Sequence, residues 1–229
     1  MIDDGDDEAA GGIRRPTHAV VASTEQSFDG RVSVPGGHRR FRHELKEIEM
    51  SVTVRDDLVL SHSVEEVEVS APFDAVDIET WLKTLPDKEY QRCAPGDHKA
   101  AGYTVDDDGT PMSINVEMIG SGLVIQHYRY EVAGPHYCKM VSISDVLTPN
   151  GWTNVQVIWE LRMEQIDGDR LRYTNTVTSR PTEEMIKFTE EHGGTFEQAA
   201  AARQEASGAH NKRETPRFAA SIVRAATAA

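Results

Sequence analysis

The sequence has few cysteines and no long hydrophobic run. Its 229 residues include two cysteines, Cys93 and Cys138, and neither belongs to a Cys-x-x-Cys pattern, which argues against a disulfide framework or a cysteine zinc site. No stretch approaches the roughly 18 apolar residues of a membrane-spanning helix. The N-terminus lacks the basic and apolar regions of a secretory signal. We therefore expect a protein of the reducing cytoplasm with no membrane partner.

Basic residues are also scarce. The chain has 24 Lys and Arg against 38 Asp and Glu, a formal net charge of −14. A surface of that charge repels phosphate backbones, so we expect no nucleic-acid partner. Hydrophobic residues make up 38% of the chain and charged residues 27%, which is typical of a folded domain rather than a wholly disordered chain. We leave a homodimer open.

Composition divides the chain into two parts. Residues 1–40 combine an acidic cluster with two Gly-Gly pairs and no sustained periodicity, which indicates a poorly ordered arm. Hydrophobic patterning begins after this segment. Residues 41–229 are therefore expected to form a single domain.

Short segments bounded by turn signals predict a set of strands. Residues 65–70 alternate polar and apolar side chains, which indicates a first strand. Further turns are rich in Gly, Pro and Asx residues, as in the run 106–109, where Gly109 is expected to take a positive φ. The remaining predicted strands span residues 113–118, 123–132, 137–146, 153–166 and 170–179. Because the links between them are short, we expect an antiparallel meander.

Helical spacing predicts helices on both sides of this meander. Apolar residues over 74–85 recur with helical spacing, and Pro86 ends the pattern. After the last strand, Thr182 is a suitable N-cap. An Ala-rich helix is then predicted over 195–206.

The end of the sequence is expected to hold more than one helix. Ser207 and Gly208 are expected to bend the chain, and Thr215 with Pro216 to open a last helix. The order of elements predicts an α+β domain in which a curved antiparallel sheet wraps a long C-terminal helical segment. This order resembles the helix-grip architecture of START-like and Bet v 1-like proteins, a fold that hosts several functions.

Three segments carry His and Glu residues that could bind one metal ion. His98 follows a Pro-Gly-Asp turn, whose rigid backbone lets it point inward. Alternation places His127 and Glu131 on one face of a predicted strand. In a helix, the spacing of His210 and Glu214 brings them one turn apart on the same side. Imidazole and carboxylate ligands fit Zn²⁺, and less decisively Mn²⁺ or Fe²⁺.

The same residues also have ordinary structural explanations. A His-x-x-x-Glu pair occurs in many helices as a solvated contact, and a strand Glu commonly faces solvent. Glu160 competes with Glu131 as the strand ligand, and His127 with Glu160 is an alternative start to the site. Alternation gives Glu160 the more polar face of its strand, so we expect it to point outward and prefer Glu131.

The order of these residues resembles the metal-ligand layout of the 2,4-diacetylphloroglucinol hydrolase and phloretin hydrolase family. The resemblance covers roughly residues 60–225, mostly as order and spacing. It implies a zinc ion bound by His98, Glu131, His210 and Glu214 in a helix-grip protein. It also implies hydrolysis of the carbon–carbon bond between an acyl group and a phenolic ring, with a small aromatic or polyketide-like molecule as substrate.

Further residues receive roles within this hypothesis. His127 is expected to act as general base or as proton donor to the ring. Tyr103 or Tyr128 is expected to orient the phenol. Two alternatives from other classes use the same fold without a metal: a carrier of small hydrophobic ligands, and a polyketide cyclase or aromatase.

Overall fold

The structure, a computed structural model, describes residues 52–228 of the chain. The predicted arm over residues 1–40 lies outside the described residues, so it stays a prediction. Within the described part, no helix combines the length and the apolar character needed to cross a membrane.

The centre of the fold is a seven-stranded antiparallel sheet with the strand order β1-β7-β6-β5-β4-β3-β2. Consecutive strands pair from β2 to β7, and β1 closes the far edge by pairing with β7. The strands are β1 Ser61–Ser70, β2 His98–Val105, β3 Pro111–Ile119, β4 Gly122–Val132, β5 Tyr137–Thr148, β6 Gly151–Asp167 and β7 Arg170–Pro181. The meander follows from its tight turns, such as the one at Gly109, whose φ is +85° as predicted.

The helices lie between β1 and β2 and after β7. A short 3-10 helix, Phe73–Ala75, precedes α1 Ile78–Thr84 and α2 Asp87–Cys93, and α3 Glu183–Glu191 leads into α4 Phe196–Thr227. Thr182 caps α3 as predicted, because its side chain accepts a hydrogen bond from the Met185 amide. The curved antiparallel sheet with a long C-terminal helix confirms the predicted α+β helix-grip fold.

Helix α4 differs from its prediction. It runs unbroken for 32 residues, past Gly208 and with Pro216 in its interior. Thr215 therefore caps no new helix, and its hydroxyl donates to the Asn211 carbonyl one turn earlier. Burial of Phe218 and other residues of this stretch against the domain core stabilises the helix more than the proline disrupts it.

Two elements of the structure were not predicted. Helix α2 and strand β2 flank the predicted turn before His98, and the sequence analysis assigned neither element. Strand β2 forms one edge of the sheet and is largely exposed along its second half, so it lacks the alternation that marks a half-buried strand. Both elements matter for the site, because α2 and β2 hold His98.

Candidate metal centre

His98 is fixed by the turn between α2 and β2. Gly96 takes a φ of +88°, and the amides of Asp97 and His98 both donate to the Ala94 carbonyl. The imidazole lies flat against the Tyr90 ring, with ring centroids 3.7 Å apart. Its Nδ1 lies 2.6 Å from the Tyr90 carbonyl oxygen. Because a carbonyl only accepts, Nδ1 carries a proton, and Nε2 points inward to Glu214 Oε2 at 3.1 Å.

Glu117 reaches the same point from the neighbouring strand. In the β2–β3 register Glu117 lies opposite His98, and its side chain is buried. The Gln126 amide donates to its Oε1 at 2.8 Å, and the Tyr90 hydroxyl donates to its Oε2 at 3.0 Å. These bonds stabilise the carboxylate in the interior and fix its orientation.

His210 and Glu214 come from the buried face of α4, one turn apart. His210 Nδ1 donates to Asp97 Oδ2 at 2.9 Å, and the Arg213 guanidinium donates to the same oxygen. The Asn175 amide donates to Glu214 Oε1 at 3.1 Å. As with His98, the outer partner holds Nδ1 and leaves Nε2 facing the interior, which is the usual orientation of a metal-ligating histidine.

Four atoms converge as a result. Nε2 of His98 lies 3.6 Å from Glu117 Oε2 and 3.1 Å from Glu214 Oε2. Nε2 of His210 lies 3.3 Å and 3.2 Å from the same two oxygens. Ligands about 2.0–2.1 Å from a tetrahedral Zn²⁺ would lie about 3.4 Å from one another. The buried quartet of His98, Glu117, His210 and Glu214 could therefore hold a metal ion.

The charges of the quartet are strongly coupled. Burial alone would lower the pKa of His210, but the carboxylates of Glu214 and Glu117 outweigh burial and raise it to about 11. Burial alone would raise the pKa of Glu214, whereas His210 and His98 lower it to about 2. Without an ion the site therefore holds two carboxylates and an imidazolium.

Hydrogen-bond geometry in the quartet is incomplete. His210 Nε2 is buried and has no hydrogen-bond partner, although two carboxylate oxygens lie within 3.3 Å. The oxygens are near enough for an ion pair but do not lie along the N–H direction. An ion among the four atoms would satisfy this nitrogen. The donor set and the orphaned nitrogen both fit a divalent cation.

A small cavity adjoins the quartet between the sheet and α4. It encloses about 20 Å³, and about 380 Å³ when its opening is included. About 10–15 Å³ is enough for one water-sized group, so the enclosed part suits a water, an ion or single ligand atoms. Aromatic side chains form part of its wall: Tyr90, Tyr128 and Trp159.

The structure brings together three of the four predicted metal ligands. His98, His210 and Glu214 meet in the quartet, but Glu131 does not. Glu131 lies on the outer side of β4, where it pairs with Lys139 at 2.6 Å and leaves half of its side chain exposed. The prediction that Glu131 is a metal ligand is therefore wrong, because the β4 residues that line the cavity, Gln126 and Tyr128, lie on the opposite face of the strand.

The other predicted residues also divide by sheet face. Tyr128 is buried and lines the cavity. His127 is on the opposite face, with Nε2 3.8 Å from Asp145. Tyr103 is exposed on β2 with Lys83 near its ring. Glu160 accepts a hydrogen bond from the Tyr137 hydroxyl on the outer face. His127 and Tyr103 therefore lie away from the quartet, and their predicted catalytic roles are corrected.

Glu117 is the site residue that sequence reasoning missed. The predicted turn at Gly109 carried part of the signal, since regular pairing from it places residue 118 opposite residue 98. A β-bulge between His98 and Ala100 then shifts the partner to Glu117. The alternation of β3 concealed this signal. Ser113, Asn115 and Glu117 face the interior while the apolar residues between them face outward, the reverse of the usual pattern.

Known structures resemble this chain in fold. No family model matches the sequence, and no curated protein does. An aromatase/cyclase, Zhui, from Streptomyces sp. R1128 is 16% identical over 72% of this chain and 92% of its own, with a TM-score of 0.45. Norcoclaurine synthase from Thalictrum flavum is 15% identical over 76% of this chain and 94% of its own, with a TM-score of 0.37.

A third solved structure is the di-domain aromatase/cyclase BexL of the BE-7585A biosynthetic pathway. It is 12% identical over 74% of this chain and 52% of its own, with a TM-score of 0.40. This chain thus spans about half of that protein. Likeness at these identities concerns the fold and does not by itself assign an activity.

The predicted zinc-dependent carbon–carbon hydrolase is wrong. The similar structures named above are aromatase/cyclases and norcoclaurine synthase, and none of them is named as a hydrolase. The position of His127 also contradicts the predicted mechanism. His127, the expected general base, lies on the sheet face opposite the cavity and cannot exchange a proton with a molecule bound there.

Proposed function

We propose that this protein binds a small aromatic or polyketide-like molecule at the opening of the cavity, with single ligand atoms entering its enclosed part, and acts on it as an enzyme of the cyclase or aromatase class. The observation that carries this proposal is the buried quartet itself, which places two carboxylates and an imidazolium beside a cavity with aromatic walls. Ionisable groups with strongly displaced pKa values in such a position mark functional sites.

The metal-free quartet can move protons in both directions. A carboxylate of Glu117 or Glu214 would accept a proton from the carbon between two carbonyl groups. As that carbon forms a bond to a second carbonyl carbon, the His210 imidazolium would donate its proton to the carbonyl oxygen, which becomes a hydroxyl. Each proton has a stated donor and acceptor, and no oxidant or reductant is needed.

Proton abstraction can be tested without knowing the natural substrate. With benzoylacetone in D₂O, we expect the protein to exchange the hydrogens between the two carbonyls faster than buffer does, as measured by NMR. Glu117→Gln and Glu214→Gln should each lose at least about 90% of that catalysis. Glu131→Gln is the matched control, because it makes the same chemical change on the outer face of the sheet. Exchange at the buffer rate with the unaltered protein would contradict the proposal.

A second candidate function is zinc binding by the quartet. It is favoured by the four His–Glu distances of 3.1–3.6 Å, which are close to the ligand separations around a tetrahedral ion, and by the orphaned Nε2 of His210. His98, Glu117, His210 and Glu214 would hold the ion, with Mn²⁺ or Fe²⁺ as weaker candidates. A bound ion of this kind supplies Lewis-acid polarisation of a carbonyl or phenol oxygen.

Elemental analysis separates the two candidates. Zinc binding predicts close to one zinc per chain in purified protein, and loss of exchange activity on chelation. The metal-free cyclase predicts activity that survives exhaustive chelation. Because the two candidates assign opposite protonation states to His210, only one of these results can hold.

Location and domain limits belong to the same proposal. We propose a cytoplasmic location, supported by two cysteines that are both free and buried. Burial raises the pKa of Cys93 to about 12 and that of Cys138 to about 11, so both thiols are poor nucleophiles. We also retain the proposal of a single domain over residues 41–229.

A further inference from the structure

Arg203 lines the cavity and carries a positive charge that the proposed mechanism does not use. It lies on the stripe of α4 that also presents Ser207, His210 and Glu214, at helical intervals of four, seven and eleven residues. About seven residues, or 10 Å along the helix axis, separate it from His210. Arg203 therefore lies at the same cavity as the quartet but about two turns before His210 and about three turns before Glu214.

The guanidinium of Arg203 has no hydrogen bond or ion pair within the described residues; burial lowers its pKa, and the nearby Glu117 carboxylate only partly offsets that effect. Its Nε is buried without a hydrogen bond, and no ion pair or hydrogen bond involves its other nitrogens. The ten other arginines of residues 52–228 each have a carboxylate, a carbonyl or an aromatic ring as partner: Arg55, Arg92, Arg129, Arg162, Arg170, Arg172, Arg180, Arg213, Arg217 and Arg224. A guanidinium whose Nε is buried without a hydrogen bond is destabilising unless a ligand supplies the missing acceptor.

A neighbouring acceptor is also unpaired. Gln126 lines the same cavity and directs its amide nitrogen to Glu117, which leaves its Oε1 buried without a donor. The cavity thus offers a cationic donor at Arg203 and a neutral acceptor at Gln126. A molecule that carries both a negatively charged oxygen and a hydroxyl would satisfy the two groups together.

We infer that Arg203 binds the negatively charged oxygen of the ligand, and that this ligand is a monoanion of a small aromatic or polyketide-like molecule. The charged oxygen would be an enolate, a phenolate or a carboxylate. This inference rests on the proposed function, since it names the charge of the molecule that the same cavity takes. Arg203 would then set specificity, because a guanidinium binds an anionic oxygen far better than a neutral one.

The test compares two molecules that differ in charge at one position. Salicylate carries a carboxylate beside a hydroxyl, and salicyl alcohol replaces the carboxylate with a neutral hydroxymethyl group. Both are titrated by calorimetry into purified protein whose metal content has been measured. We expect the unaltered protein to bind salicylate at least tenfold more tightly than salicyl alcohol.

Arginine variants assign that preference to a residue. Arg203→Gln should weaken salicylate binding at least tenfold while changing salicyl alcohol binding less than twofold. Arg203→Lys keeps the charge but loses the Nε donor, and should weaken salicylate binding by a smaller factor. Arg224→Gln is the matched control, because Arg224 lies on the exposed face of the same helix and pairs with Glu89. It should leave both affinities unchanged.

The outcomes separate this inference from the proposed function. Equal affinities for both molecules, or an unchanged preference in folded Arg203→Gln and Arg203→Lys proteins, would overturn the role of Arg203 and leave the ligand site standing. Binding of neither molecule would overturn both. Unchanged metal content in Arg203→Gln shows that a loss of salicylate binding is not a loss of the quartet.

Discussion

Two His-x-x-x-Glu pairs in this molecule have the same spacing and opposite surroundings. His127 and Glu131 lie on β4, where Glu131 pairs with Lys139 and is half exposed. His210 and Glu214 lie on α4, where His210 Nε2 is 3.2 Å from Glu214 Oε2 and both side chains are buried. Four residues span about 6 Å along a helix and about 13 Å along a strand.

The difference shows what a residue spacing does and does not determine. The i,i+4 interval brings two side chains together only when the backbone is helical. On β4 the interval preserves only the face, and that face is the wrong one. The two histidines also differ in what their neighbouring aspartate does. Asp97 accepts from Nδ1 of His210 and so turns its Nε2 toward the quartet, whereas Asp145 lies beside His127 on the sheet face away from the cavity.

The largest expected difference between the two pairs is in stability. His210→Ala leaves Glu117 and Glu214 facing each other in the interior without a cation, and should lower the free energy of unfolding of the metal-free protein by about 3–5 kcal/mol. His127→Ala should change it by less than about 0.5 kcal/mol. Urea unfolding measures both. Similar losses in the two variants would show that His210 does not balance the two buried carboxylates.

The next difference concerns the strand glutamates. If the quartet binds zinc, Glu117→Gln should lower zinc affinity by about 100-fold or more, because one of four ligands loses its charge. Glu131→Gln should leave the affinity unchanged. Competition with a chromophoric chelator gives both values, and a loss in Glu131→Gln instead would restore the ligand predicted from the sequence.

A smaller effect is expected from the aspartates beside the histidines. Asp97→Asn should weaken zinc binding by about 10–100-fold, because the carboxylate orients His210 and increases the basicity of its ring. Asp145→Asn makes the same change beside His127 and should have no effect. The same chelator competition applies, and equal affinities for Asp97→Asn and unaltered protein would remove the positioning role of Asp97.

The smallest effect is a dependence on pH. The pKa of His210 is raised to about 11 in the folded protein, so its stabilising contribution is complete below its unfolded value of about 6.5 and is lost as pH rises toward 11. In chelator-treated protein, the stability difference between unaltered and His210→Gln chains should shrink by about 1 kcal/mol from pH 7 to 8. The corresponding His127→Gln difference should stay constant.

Much of the fold was predictable because its turns are encoded locally. Gly109 and the other turn residues fix the hairpins, and alternation then gives strand positions from β3 to β7. The prediction of a new helix at Pro216 was wrong, because a proline breaks a helix on local grounds and this segment is held helical by its burial against the core. Strand β2 was missed because an exposed edge strand carries little pattern.

The site residues were predictable only where a single helix or turn determines their positions. The His210–Glu214 pair lies within one helix, and the turn before His98 fixes that residue. Glu117 enters the site through the pairing of two strands, and its polar neighbours Ser113 and Asn115 also face inward. A polar inner face inverts the rule by which strand faces are assigned from sequence.

The quartet also has a consequence for how the chain matures. His98 and Glu214 are 116 positions apart, and α4 is the last element of the described chain. During synthesis on the ribosome, β2 and β3 are therefore complete long before their partner helix emerges. Until then Glu117 has no imidazole from α4 beside it, so the nascent sheet carries half a site and has neither the cation affinity nor the proton-transfer chemistry of the finished domain.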